Sequence, residues 1–378
     1  MYKICKVCVM DTTDPDITFN SKGQCNHCES YLREVPKLPF NKKKSKEEIN
    51  KIISRIKSFR KGKYDCVIGL SGGVDSTYLA YIVKKKLGLN PIAVHMDNGW
   101  NSEKSVKNIK NIVTKLDIDL YTKVLDWEEF KKLQIAFLKA STPDSEIPSD
   151  HAILGTLYEV ANKFNIKYII SGANQKTERI MPTAWSNGHF DSVYLKSIYK
   201  TFFKSKLKNF PIFTSLKKIY YKYFKRIKFF KIFNYYEFDA KNVKRIIEKE
   251  LNWLDYGGKH YESTYTKFYQ GFLLIEKFGF DKRRAHLSNL ICAKLISRSK
   301  ALNLLKEPPI INENIYELQK YISKKFNLSN DELKEIIKNP AKKYSDYPNM
   351  YNTRWYKYSR RFLKPIYRFF FPVKDNEK

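Results

Sequence analysis

The sequence predicts an α/β protein with a doubly wound parallel sheet and a mostly helical C-terminal region. Two observations lead to this fold class. Between residues 65 and 174, short apolar β-compatible runs alternate with helical segments, which is typical of βαβ units. Beyond residue 242 the pattern is mostly helical. The chain of 378 residues is long enough for roughly two or three domains with a buried core.

Residues 1–34 predict a zinc-binding module that resembles a zinc ribbon. Cys5 and Cys8 form one C-x2-C pair, Cys25 and Cys28 form another, and 16 residues separate the pairs. Each pair directs two thiolates to one point, so the two pairs can complete a tetrahedral zinc site. Four sulfur ligands leave no open position, which favours a structural role. We expect His27 to be a bystander.

The segments that follow predict the sheet domain in order. Residues 35–64 are expected to form a linker and an exposed helix. Residues 65–191 are expected to form the domain that contains the sheet, with a ligand site at the carboxyl ends of its strands. The predicted strands cover residues 65–70, 91–100, 120–126 and 167–174, and the predicted helices cover residues 75–87 and 102–116.

Residues 192–241 differ in composition and are interpreted as an insertion. Residues 192–236 contain twelve Lys or Arg, fifteen Phe or Tyr, and no Asp or Glu. The stretch LKKIYYKYFKRIKFF (216–230) has the spacing of a basic amphipathic helix. Packing on its own domain or on an oligomer partner is the leading interpretation, ahead of an anionic membrane surface and RNA. The tail at 354–372 repeats this chemistry.

The net charge of +32 is compatible with an RNA or membrane-surface partner, but the Lys- and Asn-rich composition also fits a codon bias, so charge does not decide the function. No apolar run reaches the roughly 20 residues of a membrane-spanning helix, and the N-terminus lacks a signal-peptide pattern. We expect a cytoplasmic protein, with peripheral contact at the inner membrane as the alternative. Nucleic acid is not the expected partner.

The stretch SGGVDS (71–76) lies between a predicted strand and a predicted helix. Glycine amides and a helix N-terminus form a phosphate site, but the lysine of a Walker A loop is missing. The loop therefore favours cleavage at the α-phosphate of ATP and binding of the departing pyrophosphate. The expected ligands are ATP and Mg²⁺, and the loop's candidate binding residues are Ser71, Gly72, Gly73, Asp75 and Ser76.

SGGVDS in this context resembles the loop of the adenine-nucleotide α-hydrolase superfamily, the PP-loop ATP pyrophosphatases, which have a HUP-like fold. A closer resemblance is to the N-acetyl sugar amidotransferase family of lipopolysaccharide O-antigen and related surface-sugar pathways. It is carried by CKVCVMDTTDPDITFNSKGQCNHC, SGGVDST, HMDNGW, ISGANQKTE, YGGKHYESTYTKFYQGFLL and FGFDKRRAHLSNLI. It implies conversion of the N-acetyl group of an activated sugar or sugar acid into an acetamidino group. It does not cover residues 192–236.

The resemblance and the strand order together assign the remaining candidates. Adenine is expected beside Val94, His95 and Met96, and Asp97 is expected at the ribose or magnesium. Asp75, Asp97 and Lys176 are the catalytic candidates, Lys176 as a stabiliser of the α-phosphate. Asp150 is either a helix cap or a ligand. Gly172 is the remaining candidate for binding the nucleotide. The candidates for binding the substrate are Asn174, Glu178, His260, Glu262, Arg283, Arg284 and His286.

The nitrogen source is expected outside this chain. Residue 2 is tyrosine, so the N-terminal cysteine of a glutaminase is absent, and neither Cys66 nor Cys292 has the context of a nucleophile. A separate glutaminase is therefore expected. The resemblance implies partners similar to the glutaminase and ammonia-channelling barrel subunits of histidine biosynthesis.

Two rival functions remain open. A PP-loop tRNA thiolase would suit the zinc module and the charge, but only Cys66 and Cys292 are left for sulfur transfer, far apart in the sequence. A membrane-surface scaffold with an inactive nucleotide fold would leave the intact SGGVDS unexplained. Release of pyrophosphate from ATP distinguishes the scaffold from either enzyme.

Overall fold

The structure is a computed structural model, and it describes residues 1–37, 43–236, 240–258, 261–310, 314–353 and 356. The predicted substrate residue His260 lies outside the described residues. So does the basic aromatic tail, apart from Tyr356.

The described part of the chain contains a five-stranded parallel sheet with the strand order β3-β2-β1-β4-β5. Its strands are β1 Cys66–Gly69, β2 Pro91–Asp97, β3 Asp119–Val124, β4 Tyr168–Ser171 and β5 Lys228–Lys231. The chain winds outward from β1 in one direction to β3, and then returns to build β4 and β5 on the other side. This order confirms the predicted doubly wound sheet and places the topological switch point between β1 and β4.

Helices cover the sheet and form most of the C-terminal region. Those up to β4 are α1 Asn26–Glu34, α2 Lys43–Ser58, α3 Val74–Tyr81, α4 Glu103–Leu116, α5 Trp127–Ala140 and α6 Ile147–Lys163. The later ones are α7 Gln175–Glu178, α8 Ser192–Phe203, α9 Ser215–Ile219, α10 Ala240–Leu251, α11 Thr264–Phe268, α12 Leu274–Phe278, α13 Arg283–Cys292, α14 Arg298–Lys306, α15 Ile315–Phe326 and α16 Asn330–Lys338. Single π-helical turns continue α3, α9 and α11. Within the described residues, no helix is both long and apolar enough to span a membrane.

The central strand β1 is buried on both faces. Cys66 and Ile68 belong to the core shared with α2, α3 and α10, whereas Val67 belongs to the core shared with α6. Successive side chains of a strand point to opposite faces, and helices cover both faces here. This explains why the sequence of β1 is continuously apolar instead of alternating.

The prediction of one helix over 216–230 is wrong. The helical conformation ends with the π-turn Tyr220–Phe224, and Arg226 has a φ of 56°. Left-handed backbone interrupts a helix. The chain then pairs with the edge of β4, beginning with a 2.8 Å hydrogen bond from the Lys228 amide to the Lys167 carbonyl. The sheet therefore extends beyond residue 191 and takes its last strand from the segment interpreted as an insertion.

Phe233, which follows β5, tests whether this segment is part of the core. Its side chain is fully buried, and its ring lies 5.6 Å from that of Tyr78 on α3. We expect Phe233→Ala to lower the free energy of unfolding by about 3–5 kcal/mol. Phe224→Ala removes the same ring from a residue that is 76% exposed and should change it by less than about 0.5 kcal/mol. Urea unfolding of both variants is the measurement, and equal effects would contradict the packing described.

Candidate functional site

A cavity of about 660 Å³ lies at the carboxyl ends of β1 and β4, where the strand order reverses. Ser71, Gly73, Asp75 and Ser76 line it after β1, and the 171–173 segment lines it after β4. Ligands of open α/β sheets bind at this position. The glycine loop is thus located where the sequence predicts a nucleotide site.

Gly72 has a conformation and surroundings that only glycine fits well. Its φ is +78°, and a Cβ atom would lie 2.5 Å from the carbonyl oxygen of Ser105 on α4. The Gly72 carbonyl accepts hydrogen bonds from the Trp253 indole at 2.9 Å and from Asn108 Nδ2 at 3.3 Å. The loop is therefore held against α4 and the C-terminal region by its own backbone.

Gly73 is the N-cap of α3, so the loop leads directly into the positive end of that helix. The hydroxyl groups of Ser71 and Ser76 lie 3.1 Å apart, and the Ser71 hydroxyl accepts a 3.3 Å hydrogen bond from the Gly73 amide. Thr77 Oγ1 donates to the Gly73 carbonyl at 2.6 Å. This arrangement of hydroxyls and a helix N-terminus can bind phosphate oxygens.

The C-terminal region supplies another wall of the cavity. Tyr256 accepts a 3.4 Å hydrogen bond from the Val74 amide at the start of α3, and burial raises the pKa of its phenol, so it is protonated at neutral pH. A Cβ atom on Gly73 would lie 2.9 Å from Glu262 Oε1. The predicted substrate residue Glu262 is therefore located beside the glycine loop.

An acid–base cluster, formed by Asp144, Asp150 and His189, lies at the same cavity. His189 Nε2 is 3.0 Å from Asp144 Oδ2 and 3.4 Å from Asp150 Oδ2. Asp144 is buried and also accepts a 2.7 Å hydrogen bond from Ser186. Asp150 and His189 line the cavity. The N-cap of α6 is Glu146, so the interpretation of Asp150 as the helix cap is wrong.

The three groups of the acid–base cluster have shifted pKa values. Burial opposes the charge of His189, but the Asp144 carboxylate outweighs it and raises the pKa of His189 to about 9. The same pairing, against the effect of burial, lowers the pKa of Asp144 to about 2. Burial raises the pKa of Asp150 to about 6, although half of its side chain is open to the cavity. Asp150 is therefore suited to exchange protons near neutral pH.

The cavity brings together part of the predicted set. The predicted residues that line it are Ser71, Gly73, Asp75, Ser76, Gly172, Glu178, Glu262 and His286. Those not among the described lining residues are Gly72, Val94, His95, Met96, Asp97, Asn174, Lys176, Arg283 and Arg284. The sequence analysis missed His189 and Tyr256. For His189 a signal was available, because it is one of six histidines and lies in the loop region after the fourth strand.

At the end of β2, polar groups of the residues predicted to bind the nucleotide form hydrogen bonds with other parts of the protein. The Val94 carbonyl accepts from the Leu70 amide at 2.9 Å. His95 Nδ1 lies 3.0 Å from the Leu70 carbonyl, and burial lowers its pKa, so the ring is neutral. Asp97 Oδ1 accepts from the Gly99 amide at 2.9 Å and from Asn101 at 3.2 Å. A direct contact of these residues with the nucleotide stays a prediction.

Arg283 and Arg284 both have partners within the protein, and their contact with an anionic substrate stays a prediction. Arg283 forms a 2.7 Å ion pair with Asp281 and donates to the Leu304 and Glu307 carbonyls. Arg284 forms a 2.9 Å ion pair with Asp11 and donates to the Val9 carbonyl. Both guanidinium groups are used to join parts of the C-terminal region and the N-terminal module.

The four predicted metal ligands form a buried cluster. Their sulfur atoms all lie within 4.8 Å of one another, with Cys5 and Cys28 3.9 Å apart and Cys8 and Cys25 3.7 Å apart. A Zn–S bond of about 2.3 Å gives a tetrahedron edge of about 3.8 Å, so the residues fit zinc. Amides of Val7, Cys8 and Cys25 donate to the sulfur of Cys5, as expected beside a thiolate. His27 bonds to Asp14 instead.

A fifth cysteine lies beside this cluster, which the sequence analysis did not predict. Cys292 Sγ, on α13, is 3.7 Å from Cys28 Sγ. The same helix docks the module through Ser288, whose hydroxyl accepts from the Val9 amide at 3.2 Å, and through Arg284. Its residues His286 and Leu290 line the cavity. One helix therefore contacts both the metal module and the cavity.

The metal content of the purified chain tests the ligand assignment. We expect one zinc per chain by elemental analysis and no visible absorption, because zinc has no colour whereas iron–sulfur clusters, which also use four cysteines, absorb visible light. Cys292→Ser should keep the metal, and Cys25→Ser should lose it. Loss of the metal from Cys292→Ser, or iron in the native protein, would contradict a four-cysteine zinc site.

Comparison with known proteins supports the predicted relation to the PP-loop superfamily and to lipopolysaccharide biosynthesis. Residues 46–219 match the family model for NAD synthase, and residues 262–361 match the model described as LPS biosynthesis protein WbpG-like, C-terminal domain. The two matches relate the chain to the PP-loop enzymes, which use ATP, and to a protein domain of lipopolysaccharide biosynthesis.

Individual relatives are similar over the sheet domain. An NH3-dependent NAD⁺ synthetase of Pyrococcus horikoshii is 30% identical over 41% of this chain and 60% of its own length. An uncharacterized protein of Methanocaldococcus jannaschii is 29% identical over 44% of this chain and 58% of its own length. A glutamine-hydrolyzing GMP synthase of Pyrobaculum aerophilum is 27% identical over 42% of this chain and 30% of its own length. The chain thus covers less than two thirds of each of these relatives.

A solved structure of an NH3-dependent NAD synthetase from Campylobacter jejuni is 16% identical to this chain. The alignment covers 71% of this chain and 99% of that one, with a TM-score of 0.33.

Proposed function

We propose that this protein is an ATP-dependent, AMP-forming amidotransferase that converts the N-acetyl group of an activated sugar or sugar acid into an acetamidino group. One observation carries the proposal. Residues of the glycine loop line the same cavity as Asp150 and His189 of the acid–base cluster, so a phosphate-binding element and a proton-accepting group can act on the same substrate.

The first step activates a poor electrophile. The acetamido oxygen attacks the α-phosphorus of ATP, the bond to the β-phosphate oxygen breaks, and pyrophosphate leaves with the electron pair. The product is an O-adenylyl imidate that keeps its N–H proton as an imidium cation, so this step needs no base. The glycine loop and the N-terminus of α3 would bind the pyrophosphate, and the Asp75 carboxylate is a suitable ligand for the Mg²⁺ that accompanies ATP. Catalysis of this kind is mainly positioning and charge stabilisation.

The second step replaces the activated oxygen by nitrogen. Ammonia adds to the imidate carbon, AMP leaves with the electron pair of the C–O bond, and a proton from the nitrogen goes to the Asp150 carboxylate. The pKa of about 6 makes Asp150 largely ionised at neutral pH, as a base must be. The relatives named as an NH3-dependent synthetase and a glutamine-hydrolyzing synthase support ammonia as the nitrogen donor.

The substrate class rests on the C-terminal match. The matched domain is named for lipopolysaccharide biosynthesis, which supports a surface sugar that carries an N-acetyl group. A UDP-linked hexosamine uronate and a nonulosonic acid both fit. Of the predicted substrate residues, Glu178, Glu262 and His286 line the cavity and are proposed to contact it. Ammonia is proposed to come from a separate glutaminase through a barrel subunit, in the cytoplasm.

The site gives no support to the thiolase. Among the described residues that line the cavity, none contains sulfur. Cys66 is buried in β1, where burial raises the pKa of its thiol, and Cys292 lies at the metal module. A thiolase needs a reactive sulfur at the nucleotide, and low-pKa exposed thiols are the reactive ones.

The test is an assay with candidate substrates. Purified protein is incubated with ATP, Mg²⁺, ammonium salt and a panel of N-acetylated sugar nucleotides and sugar acids, and the products are analysed by high-resolution mass spectrometry. We expect AMP together with a sugar product in which NH has replaced one oxygen. Omission of the sugar is the control. AMP formation that depends on bulk tRNA instead of a sugar would overturn the proposal in favour of RNA modification.

A further inference from the structure

A group of exposed apolar side chains surrounds the opening of the cavity and continues onto the helical segment that precedes β5. Ile153, Phe190 and Phe229 line the cavity and are also 41%, 55% and 40% exposed, so they form part of its rim. Leu216 and Phe224, on α9 and the π-turn after it, are 75% and 76% exposed. Together with Tyr220 and with the lysines of the same helical segment, these five residues form a surface that we call the basic aromatic face.

The helical segment and the rim are in direct contact. Lys218 Nζ lies 5.6 Å from the centre of the Phe190 ring. The buried Tyr158 ring joins the two parts from below, because it lies 5.5 Å from Tyr221 and 6.4 Å from Phe229. The helical segment and the rim are therefore neighbours that rest on the same buried aromatic ring.

Positive charge accompanies the apolar residues. The helical segment carries Lys217, Lys218, Lys222 and Lys225, and residues 192–236 contain no acidic residue at all. Lys225 Nζ lies 5.5 Å from the Tyr220 ring, and the Tyr220 and Phe224 rings stack at 6.1 Å. An acidic neighbour from another element is Glu159, 3.8 Å from Lys217. Exposed aromatic and aliphatic side chains among lysines are complementary to the headgroup region of an anionic bilayer.

We propose that the basic aromatic face binds the surface of anionic membranes and that the cavity opens toward the bilayer when it does. Leu216, Tyr220 and Phe224 insert among the lipid headgroups, and the lysines contact the anionic lipid phosphates. The charge complementarity favours lipid over a second copy of this chain, because two copies would bring lysines against lysines. This role is independent of the proposed reaction.

Vesicle sedimentation of the full chain tests the proposal. We expect binding to vesicles containing phosphatidylglycerol, weaker binding at high salt, and little binding to pure phosphatidylcholine vesicles. Each lysine near the surface contributes about fivefold in affinity, so Lys222→Gln with Lys225→Gln should weaken binding about 25-fold. The matched control, Lys107→Gln with Lys110→Gln on α4, makes the same change in net charge and should leave binding within about twofold.

The apolar part has its own control. Leu216→Ser with Phe224→Ser should weaken binding to anionic vesicles at least about tenfold, whereas Val106→Ser with Val124→Ser, at residues 53% and 66% exposed, should not. Equal losses in both lysine pairs would overturn the proposal, because charge alone would then explain binding. So would absence of vesicle binding, a dimer in solution that the Leu216/Phe224 variant dissociates, or RNA binding that only this variant loses.

Discussion

Replacing Gly72 by alanine is expected to lower AMP and pyrophosphate formation about 100-fold or more. The backbone at Gly72 has a φ of +78°, and the new Cβ would lie 2.5 Å from the Ser105 carbonyl oxygen. That oxygen belongs to the backbone of α4, so the loop must move instead. A displacement of about 1 Å at a catalytic element can cost about 100-fold in rate. The measurement is the initial rate of AMP formation by chromatography, with thermal unfolding to confirm the fold.

Gly62→Ala is the matched control, because Gly62 has no atom within 4 Å of its Cβ position and lies outside the cavity. If Gly72→Ala fails to fold, Ser76→Ala makes a smaller change at the same loop. It should lower the rate of AMP formation about tenfold, because it removes one hydrogen bond to a charged phosphate oxygen. A folded Gly72→Ala protein with the native rate would show that the loop is not the pyrophosphate site.

Asp150→Asn is expected to lower amidine formation about 100-fold or more, since general acid–base catalysis contributes about that much. ATP–pyrophosphate exchange should stay near the native rate, because the base acts only after adenylation. The amide is nearly the same size as the carboxylate but cannot take a proton at neutral pH. Asp331→Asn, at an exposed residue on α16, is the control. If ATP–pyrophosphate exchange fell as much as amidine formation, Asp150 would instead be assigned to nucleotide binding.

The pH profile of the native enzyme provides a second readout for Asp150. The base must be deprotonated, and burial raises its pKa to about 6. At a fixed concentration of free ammonia, activity should therefore be constant above that pH and fall about tenfold per unit below it. Asp150→Asn should lack this decline. The same decline in the variant would assign the titration to another group.

The sheet and the glycine loop could be predicted from the sequence because their signals are local. The apolar run before SGGVDS and the spacing of the four cysteines depend on short-range geometry, and the structure places both as expected. The last strand was missed for a physical reason. LKKIYYKYFKRIKFF has helical spacing, but Arg226 takes up a left-handed conformation and the edge of β4 offers hydrogen bonds to Lys228. Pairing with the sheet thus overrides local preference.

Contacts between side chains that are far apart in the sequence could not be predicted. Asp144 and His189 are ordinary residues of two loops until the fold brings them within 3.0 Å. Arg283 and Arg284 suggest anion binding by type, yet each has a carboxylate partner in the structure. Cys292 has no motif, and only tertiary packing brings it to Cys28.

The position of α13 connects the cysteine cluster with the cavity. Arg284, Ser288 and Cys292, at successive helical turns, contact the N-terminal module, whereas His286 and Leu290 line the cavity. An oxidant or chelator that removes the metal would unfold the module on one side of this helix and leave its other side unsupported. Under the proposed function, the protein should then lose sugar binding before ATP binding, although neither reagent touches the glycine loop. Oxidation of the four cysteines is thus expected, under the proposed function, to lower conversion of the sugar while the nucleotide site stays unchanged.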